Sequence, residues 1–311
     1  MSAEPKVCAA VVTYNRKDLL RGCLKSLLAQ TRLPDQIIVV DNHSSDGTIE
    51  MLRAEFATLE GVPPFTIVAL EENNGGAAGF AAGLDWGHKH GFDWIWVMDD
   101  DIEILPGALE MMLPYGGISD FIQCRRHTPG SDVILECLFD LTACSAFNPR
   151  APIINLDSEK DRPWIAVQWG NFEGPLIHRS VVDRIGLPDA RFFVGGDDSI
   201  YGLEASFRTN VIYLRDYGID RKLAKPKRPT KMGFYLLLRN RFLTRDHLEK
   251  LGFTTHTLLF WCSQLIGLLA AIRQVLGDKE QTKKREMIGA VFSGLVDGAN
   301  GRFGRPPFIK A

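Results

Sequence analysis

The chain has 311 residues, 45% of them hydrophobic, and a formal net charge of -2 at neutral pH. That is enough apolar side chain to fill one large core or two small ones, which excludes a disordered chain, and so even a charge gives no global case for nucleic acid. Six cysteines (Cys8, Cys23, Cys124, Cys137, Cys144, Cys262) form no CxxC pair and no metal-ligand spacing, and no signal peptide precedes the first strand, so a cytoplasmic setting with buried structural thiols is expected.

Val7–Thr13 (VCAAVVT) is an unbroken apolar, β-rich run, the pattern of a strand covered on both faces, and Tyr14, Asn15 and Arg16 follow as a turn. Leu19, Leu20, Cys23, Leu24, Leu27 and Leu28 recur at three and four residues, which predicts an amphipathic helix. Gln36–Val40 predicts the next strand, Asp41 to Thr48 the loop after it, with a helix starting near Thr48, and Phe65–Ala69 a third strand. Strand and helix alternate, so the expected fold class is α/β with a mostly parallel central sheet. Ligands of such sheets lie beyond the carboxyl ends of strands. Thr13–Arg16, Asp41–Asp46, Asn73–Gly79 and Asp99–Asp101 all hold that position.

The loop Asn73-Asn74-Gly75-Gly76-Ala77-Ala78-Gly79 lets backbone come close to a ligand, although it lacks the order of a dinucleotide or phosphate loop. It argues for a nucleotide-type ligand, or for a tight turn into a helix over Ala81–His90. Next, the apolar run Ile95–Met98 ends in three consecutive carboxylates, Asp99, Asp100 and Asp101. Adjacent acids repel, so such a cluster calls for a cation, and oxygen ligands suit Mg²⁺ or Mn²⁺. An extended backbone would point Asp99 and Asp101 at one ion while Asp100 faces elsewhere. The plainer reading is a solvated turn before a helix near Pro106, with Asp101 as its cap.

A helix near Gly107–Leu113 precedes a less regular middle, and Trp169–Ile177 resumes strand-like character. There Trp169 and Glu173 can meet a polar ring ligand by stacking and hydrogen bonding, or Trp169 can be core. The apolar run at Phe192 ends in a second carboxylate pair, Asp197 and Asp198, before a helical pattern (Tyr201, Leu203, Phe207). Asp198 there suits a helix cap or a general base taking a proton from an attacking hydroxyl. Between Arg221 and Lys250 stand ten Lys and Arg against two acids, a local patch for anions. Tyr235–Leu243 is helical, and Gly252–Ile272 then carries no acid, Lys or Arg over about a bilayer's thickness. Its Thr, Ser, His and Gln residues favour a buried helix first, docking on a membrane surface second and a true span last.

In this order VVTYNR (Val11 to Arg16), IIVVDNHSSDGT (Ile37 to Thr48), ENNGGAAGF (Glu72 to Phe80), WIWVMDDD (Trp94 to Asp101), GDDSIYGL (Gly196 to Leu203) and FYLLLRNRF (Phe234 to Phe242) resemble family 2 glycosyltransferases of the GT-A fold. Within that family the segments look most like bacterial galactofuranosyl- and rhamnosyltransferases. The resemblance implies a GT-A domain in two halves, 1–115 holding the nucleotide sugar and 116–225 the acceptor and base, with a C-terminal helical extension at 226–311. It implies that Thr13, Tyr14, Asn15, Arg16, Asp41, Asn42, Gly75, Gly76, Asp99 and Asp100 hold the donor. Asp99 and Asp101 would bind Mn²⁺ or Mg²⁺, Asp198 would be the base of an inverting transfer, and Trp169, Glu173 and Asp197 would face the acceptor. The chain departs from the pattern at Ile200 and Glu204, where an acid and an arginine are usual, and in having no histidine metal ligand between Val211 and Lys222. Asp216 or Asp220 can stand in for that ligand, since oxygen suits the same ions.

Expected partners are a nucleotide-sugar donor, UDP-galactofuranose before dTDP-rhamnose, and a glycan or polyprenyl-diphosphate-linked acceptor of cell-surface polysaccharide synthesis. Peripheral contact with the cytoplasmic membrane face fits the basic segment and apolar helix. No motif sets an oligomeric state. A sugar nucleotidyltransferase, and a non-catalytic glycan- or lipid-binding protein on the same fold, are the competing functions.

Overall fold

The computed structural model describes residues 4–127, 136–137, 153–154, 162–223, 229–279 and 282–309. β1 (Val7–Thr13), β2 (Gln36–Asp41), β3 (Phe65–Ala69) and β4 (Trp94–Asp99) pair in parallel in the order β3-β2-β1-β4. Beyond β4 the sheet continues through β10 (Leu176–His178), β6 (Phe121–His127), β11 (Val211–Arg221) and β5 (Ile102–Ile104), with β9 (Trp164–Val167) also on β11. Six of these nine strands run one way and only β5, β9 and β10 oppose them, so the mostly parallel α/β expectation holds. A separate two-residue pair joins β7 (Glu136–Cys137) to β8 (Ile153–Ile154).

Every residue of β1 and β2 is buried, because helices cover both faces. On one face α1 (Lys17–Leu28) lays down Leu20, Cys23, Leu24 and Leu27, joined by α2 (Thr48–Glu55) and α4 (Ala108–Met112). On the other, α3 (Gly75–Lys89), α5 (Arg179–Ile185) and α6 (Asp197–Ser206) pack on the alternate residues of the same strands. The chain builds outward from β1 to β3 and then returns to add β4 on the far side of β1. That reversal opens a crevice between the loops after β1 and β4.

The C-terminal part forms its own core from α7 (Lys231–Lys250), α8 (Thr257–Gly277) and α9 (Lys284–Ala299). α7 starts at Thr230, whose hydroxyl accepts the Gly233 N–H at 3.0 Å.

Several expectations are corrected. α3 begins at Gly75 rather than Ala81, and of the 169–177 run only Leu176 and Ile177 are strand, in β10. The apolar run at Phe192 begins at the end of a short 3₁₀ turn, Ala190–Phe192, which Asp189 caps, and Phe193 adopts a φ of +67°. α8 is buried on one side only, through Phe260, Gln264, Gly267, Leu268, Ala271 and Val275, so the buried-helix expectation fails for its opposite side. The Arg221–Lys250 segment is no single anion patch: Arg221 pairs with Glu173, Arg239 is fully buried, Arg241 donates to the Ser263 carbonyl and Arg245 to Glu249. Its Lys225, Lys227 and Arg228 lie outside the described residues, as do Cys144 and the Cys137 side chain. Cys8, Cys23 and Cys124 are buried unbridged thiols, whereas Cys262 is exposed.

Candidate active site

A cavity of about 380 Å³ opens at the crevice, lined by Thr13, Tyr14 and Arg16 from the loop after β1 and by Asn42 from the loop after β2. Gly75 and Gly76 at the start of α3, and Asp99 and Asp100 at the end of β4, complete that side of it. Sequence reasoning named all eight for the donor. Asn73, from the loop singled out in the sequence, also lines the cavity; missed were Phe193, Val194, and from the C-terminal part Met232 and Ile309. Phe193 and Val194 are there because the loop before α6 folds over α3. The Phe193 carbonyl accepts the Ala77 N–H at 3.1 Å, and a Cβ on Gly75 (φ +83°) would stand 2.1 Å from that carbonyl oxygen, so only glycine fits.

The rim is wired by short polar contacts. Thr13 Oγ1 donates to Asp100 Oδ2 at 2.7 Å, and Arg16 Nη1 lies 3.3 Å from Asp100 and 3.0 Å from Asp101. The Asn15 N–H donates to Ser44 Oγ, and Asn15 Oδ1 accepts the Ser45 N–H. Asn15 thus joins the loops after β1 and β2, which is where its side chain is spent. Asp41 sits behind the wall, its Oδ2 accepting the Ser44 N–H at 3.0 Å. Asp41 Oδ1 and Asn42 Oδ1 are buried with no hydrogen-bond partner among the described residues. Two such acceptors beside a cavity are what a nucleoside would satisfy, since buried polar atoms are normally paired.

β4 ends at Asp99 and the next two residues turn, so the alternation expected across the three acids stops there. Asp100 turns to Thr13 and Arg16; burial still lifts its pKa to about 6, against the pull of Thr13 and Arg16. Asp99 differs from both neighbours. No hydrogen-bond donor among the described residues reaches its carboxylate, and burial, then the charges of Asp101, Glu173, Asp100 and Asp198, push its pKa well up. An unpaired carboxylate in the field of four others fits a divalent cation. Among the described residues no three His, Cys, Asp or Glu side chains converge as a ligand set. A one- or two-carboxylate site completed by diphosphate and water suits Mg²⁺ or Mn²⁺. Asp220 is not brought into this group. Its carboxylate lies 3.4 Å from His127 Nδ1, on the side of β11 opposite the Arg221–Glu173 pair, as the strand pleat requires.

Asp197 and Asp198 open α6, after Gly195 and Gly196, both at positive φ. Asp198 Oδ1 accepts the Ser199 N–H at 2.7 Å. Burial raises its pKa, opposed by Ser199, and Glu173 raises it further. Burial and then Asp198 raise Asp197 to about 8. Asp198 is absent from the cavity wall but within the electrostatic reach of Asp99, and Glu173 acts on both. The placement is enforced by backbone contact. A Cβ on Gly202 would stand 2.0 Å from the Gly170 nitrogen, and one on Gly170 would stand 2.8 Å from the Asp198 carbonyl oxygen. The 169–173 segment is in turn held by Gln123 of β6, which donates to the Trp169 carbonyl at 2.9 Å and accepts the Asn171 N–H at 3.1 Å.

Glu173 is spent on two arginines: Arg126 Nη1 donates at 3.0 Å and Arg221 Nη2 at 2.8 Å. Burial raises its pKa, but these guanidiniums prevail and leave it below the ordinary value. The residue serves as an anion fixed between cations at the back of the site.

Residues 8–127 match the family described as Glycosyl transferase family 2. The chain is 31% identical over 205 residues to galactofuranosyltransferase GlfT1 of Mycolicibacterium smegmatis, with 62% of each chain covered. It is 31% identical over 199 residues to the protein of the same name from Mycobacterium tuberculosis, again over 62% of each. The matched part thus spans about three fifths of the length of those relatives. In fold it is similar to the mannosyltransferase PcManGT from Pyrobaculum calidifontis, solved with GDP-Man and Mn²⁺ (TM-score 0.55, 16% identity, 98% of this chain and 78% of that one). It is also similar to S. aureus TarS 1-349 in complex with UDP-GlcNAc (TM-score 0.53, 14% identity, 93% and 72%). A strand-end acidic cluster, a nucleotide-sized cavity at the sheet's reversal and these likenesses converge: residues 8–127 match glycosyltransferase family 2, and the chain takes the GT-A fold.

Proposed function

We propose that the chain transfers a sugar, galactofuranose from its UDP donor, to a glycan or polyprenyl-diphosphate-linked glycan, with inversion at the anomeric carbon. The observation that carries this reading is the pair formed by Asp99, unpaired at the cavity, and Asp198, near enough for its charge to act on Asp99. The galactofuranosyl donor is supported by the two relatives of that name.

Asp99, with Asp101 beside it, would hold Mn²⁺ or Mg²⁺ against the donor diphosphate, where the ion would offset the charge of the leaving nucleotide. The remaining steps belong to the chain. Asn42 and Asp41 supply acceptors for the nucleoside, and Gly75 and Gly76 let the α3 terminus approach the phosphates. Asp198 takes the proton of the acceptor hydroxyl as that oxygen attacks the anomeric carbon from the face opposite the nucleotide. A pKa raised by burial strengthens Asp198 as a base. Trp169, half-buried beside it, and Asp197 bound the acceptor side. Polysaccharide assembly on a lipid carrier puts this work at the cytoplasmic face of the membrane.

The test is Asp198→Asn with UDP-galactofuranose, Mn²⁺ and a synthetic galactose-containing acceptor. Loss of a general base lowers turnover about 10²- to 10⁴-fold, and donor affinity by calorimetry stays within about twofold. Turnover equal to wild type would end the base assignment; the same panel run with dTDP-rhamnose decides the donor.

A further inference from the structure

The side of α8 turned away from the fold is apolar without interruption for more than three turns. Leu258, Trp261, Leu265, Ile266 and Leu269 all project from it, with Ile266 68% and Leu269 58% exposed. No acid, lysine or arginine interrupts the chain from Gly252 to Ile272. The helix is 21 residues long with a mean hydropathy of 1.5, and 28% of its apolar window is buried. A surface this continuous marks an interaction site.

Its inner side rules out a crossing. Gln264 donates to the Leu238 carbonyl at 3.3 Å, and Arg241 Nη1 donates to the Ser263 carbonyl at 3.1 Å. Gly267 backs onto Arg241 and Leu238 with no room for a Cβ. A spanning α8 would pull Arg241 into hydrocarbon or break these bonds. The helix is therefore held parallel to whatever surface covers it.

Charge selects that surface. Residues 231–311 contain thirteen Lys and Arg against six Asp and Glu, a net of +7, while residues 1–230 carry -9. The apolar run leads directly into Arg273, Lys279, Lys283, Lys284 and Arg285, interspersed with Asp278, Glu280 and Glu286. A symmetric pairing of two copies through α8 would set one net-positive unit against another. An anionic bilayer offers hydrocarbon for the apolar side and opposite charge for its flank. We infer that α8 is a lipid-docking helix, lying in the headgroup region of an anionic membrane and holding the enzyme there as a peripheral protein. Its use in catalysis rests on the transferase reading, but lipid binding is measured without donor or acceptor and stands or fails alone.

The experiment is co-sedimentation of the full chain with vesicles of phosphatidylglycerol and phosphatidylcholine in equal parts, compared with pure phosphatidylcholine. Wild type should sediment with the mixed vesicles and several-fold less with the neutral ones. Ile266→Glu combined with Leu269→Glu should reduce vesicle partition about tenfold or more, because charge is expelled from the hydrocarbon boundary. Both side chains face outward, so the melting temperature should not move, which separates loss of docking from loss of fold. Wild type remaining in the supernatant would overturn the inference, as would a double variant that sediments like wild type. So would gel filtration in which wild type is a dimer, the double variant is a monomer and neither binds vesicles; the face would then be an interface between copies.

Discussion

Asp99 and Asp100 are neighbours in sequence with opposite circumstances. Asp100 has the Thr13 hydroxyl and a share of the Arg16 guanidinium, whereas no hydrogen-bond donor among the described residues reaches the Asp99 carboxylate, which other acids surround. Asp99→Asn should therefore remove the cation-dependent part of donor binding: calorimetry of UDP with Mn²⁺ should lose about tenfold, or about 1.4 kcal/mol, with little change when the ion is omitted. Equal affinity in both conditions would place the ion elsewhere. Asp99 and Asp198 were legible in the sequence because the one closes a buried strand and the other lies in the first turn of a helix. The fate of Glu173 was not, since its partners Arg126 and Arg221 come from strands 47 and 48 residues away. The departures at Ile200 and Glu204 also acquire a structural account. Ile200 fills a small core with Phe192, Leu203 and Leu243, and Glu204 accepts from a histidine that no local pattern connects to it.

That histidine, His247 of α7, joins three elements: Nδ1 lies 2.7 Å from Glu204 of α6 and Nε2 2.9 Å from Asp189 before the 3₁₀ turn. Burial pulls its pKa down, but hydrogen bonds to the two carboxylates prevail and hold it at about 9, against 6.5 unperturbed. A group whose folded pKa is raised stabilises the fold fully below its unfolded pKa and loses that contribution as pH rises through the folded one. The melting temperature should fall between about pH 6.5 and 9, by the equivalent of about 3 kcal/mol at most. His247→Gln should flatten that slope, and an unchanged slope would refute the assignment. About two helical turns earlier, Arg239 and Asn240 grip the loop that carries Phe193 and Val194. Arg239 Nη2 donates to the Phe192 carbonyl at 2.6 Å, and Asn240 Nδ2 reaches the carbonyls of Phe192, Val194 and Gly195. Asn240→Ala should cost about 1–3 kcal/mol through the carbonyls left bare. It should also raise KM for the donor, a change a purely structural defect elsewhere in α7 would not bring. The helix holding this pair was visible in the sequence as FYLLLRNRF. Its grip was not, because a fully buried arginine beside leucines reads as an exposed one until the loop it serves is in place.

At the level of the molecule, the α/β half with its parallel order was readable from alternation alone, while β6 and β11 went unforeseen and α9 was expected only as part of a helical extension. β6 and β11 take their registers from partners distant in the chain, and the 3.6-residue period of α9 is diluted by Gly289, Gly294 and Gly298. The last two are needed where α9 crosses α7, a Cβ on Gly294 falling 1.9 Å from the Tyr235 carbonyl oxygen. Thiol chemistry offers a global check on the packing. Cys8 and Cys23 are buried, and burial drives both thiols well above their ordinary pKa, whereas Cys262 lies exposed on α8. A maleimide followed by peptide mapping should label Cys262 within minutes and leave Cys8, Cys23 and Cys124 unlabelled until denaturant is added. Early labelling of Cys23 would show that α1 does not seal the sheet.

The crossing of Gly170 over Gly202 has a mechanical corollary. With no atom between the two backbones, the α6 start that carries Asp198 cannot swing independently of the 169–173 segment; the two travel as one rigid body. Any breathing that admits or releases a sugar must then come from parts not welded to that joint, such as the Tyr14 turn or the Ile309 tail. A side chain introduced at either glycine should act on the tempo of the reaction by shifting its geometry, even though neither residue touches the substrates.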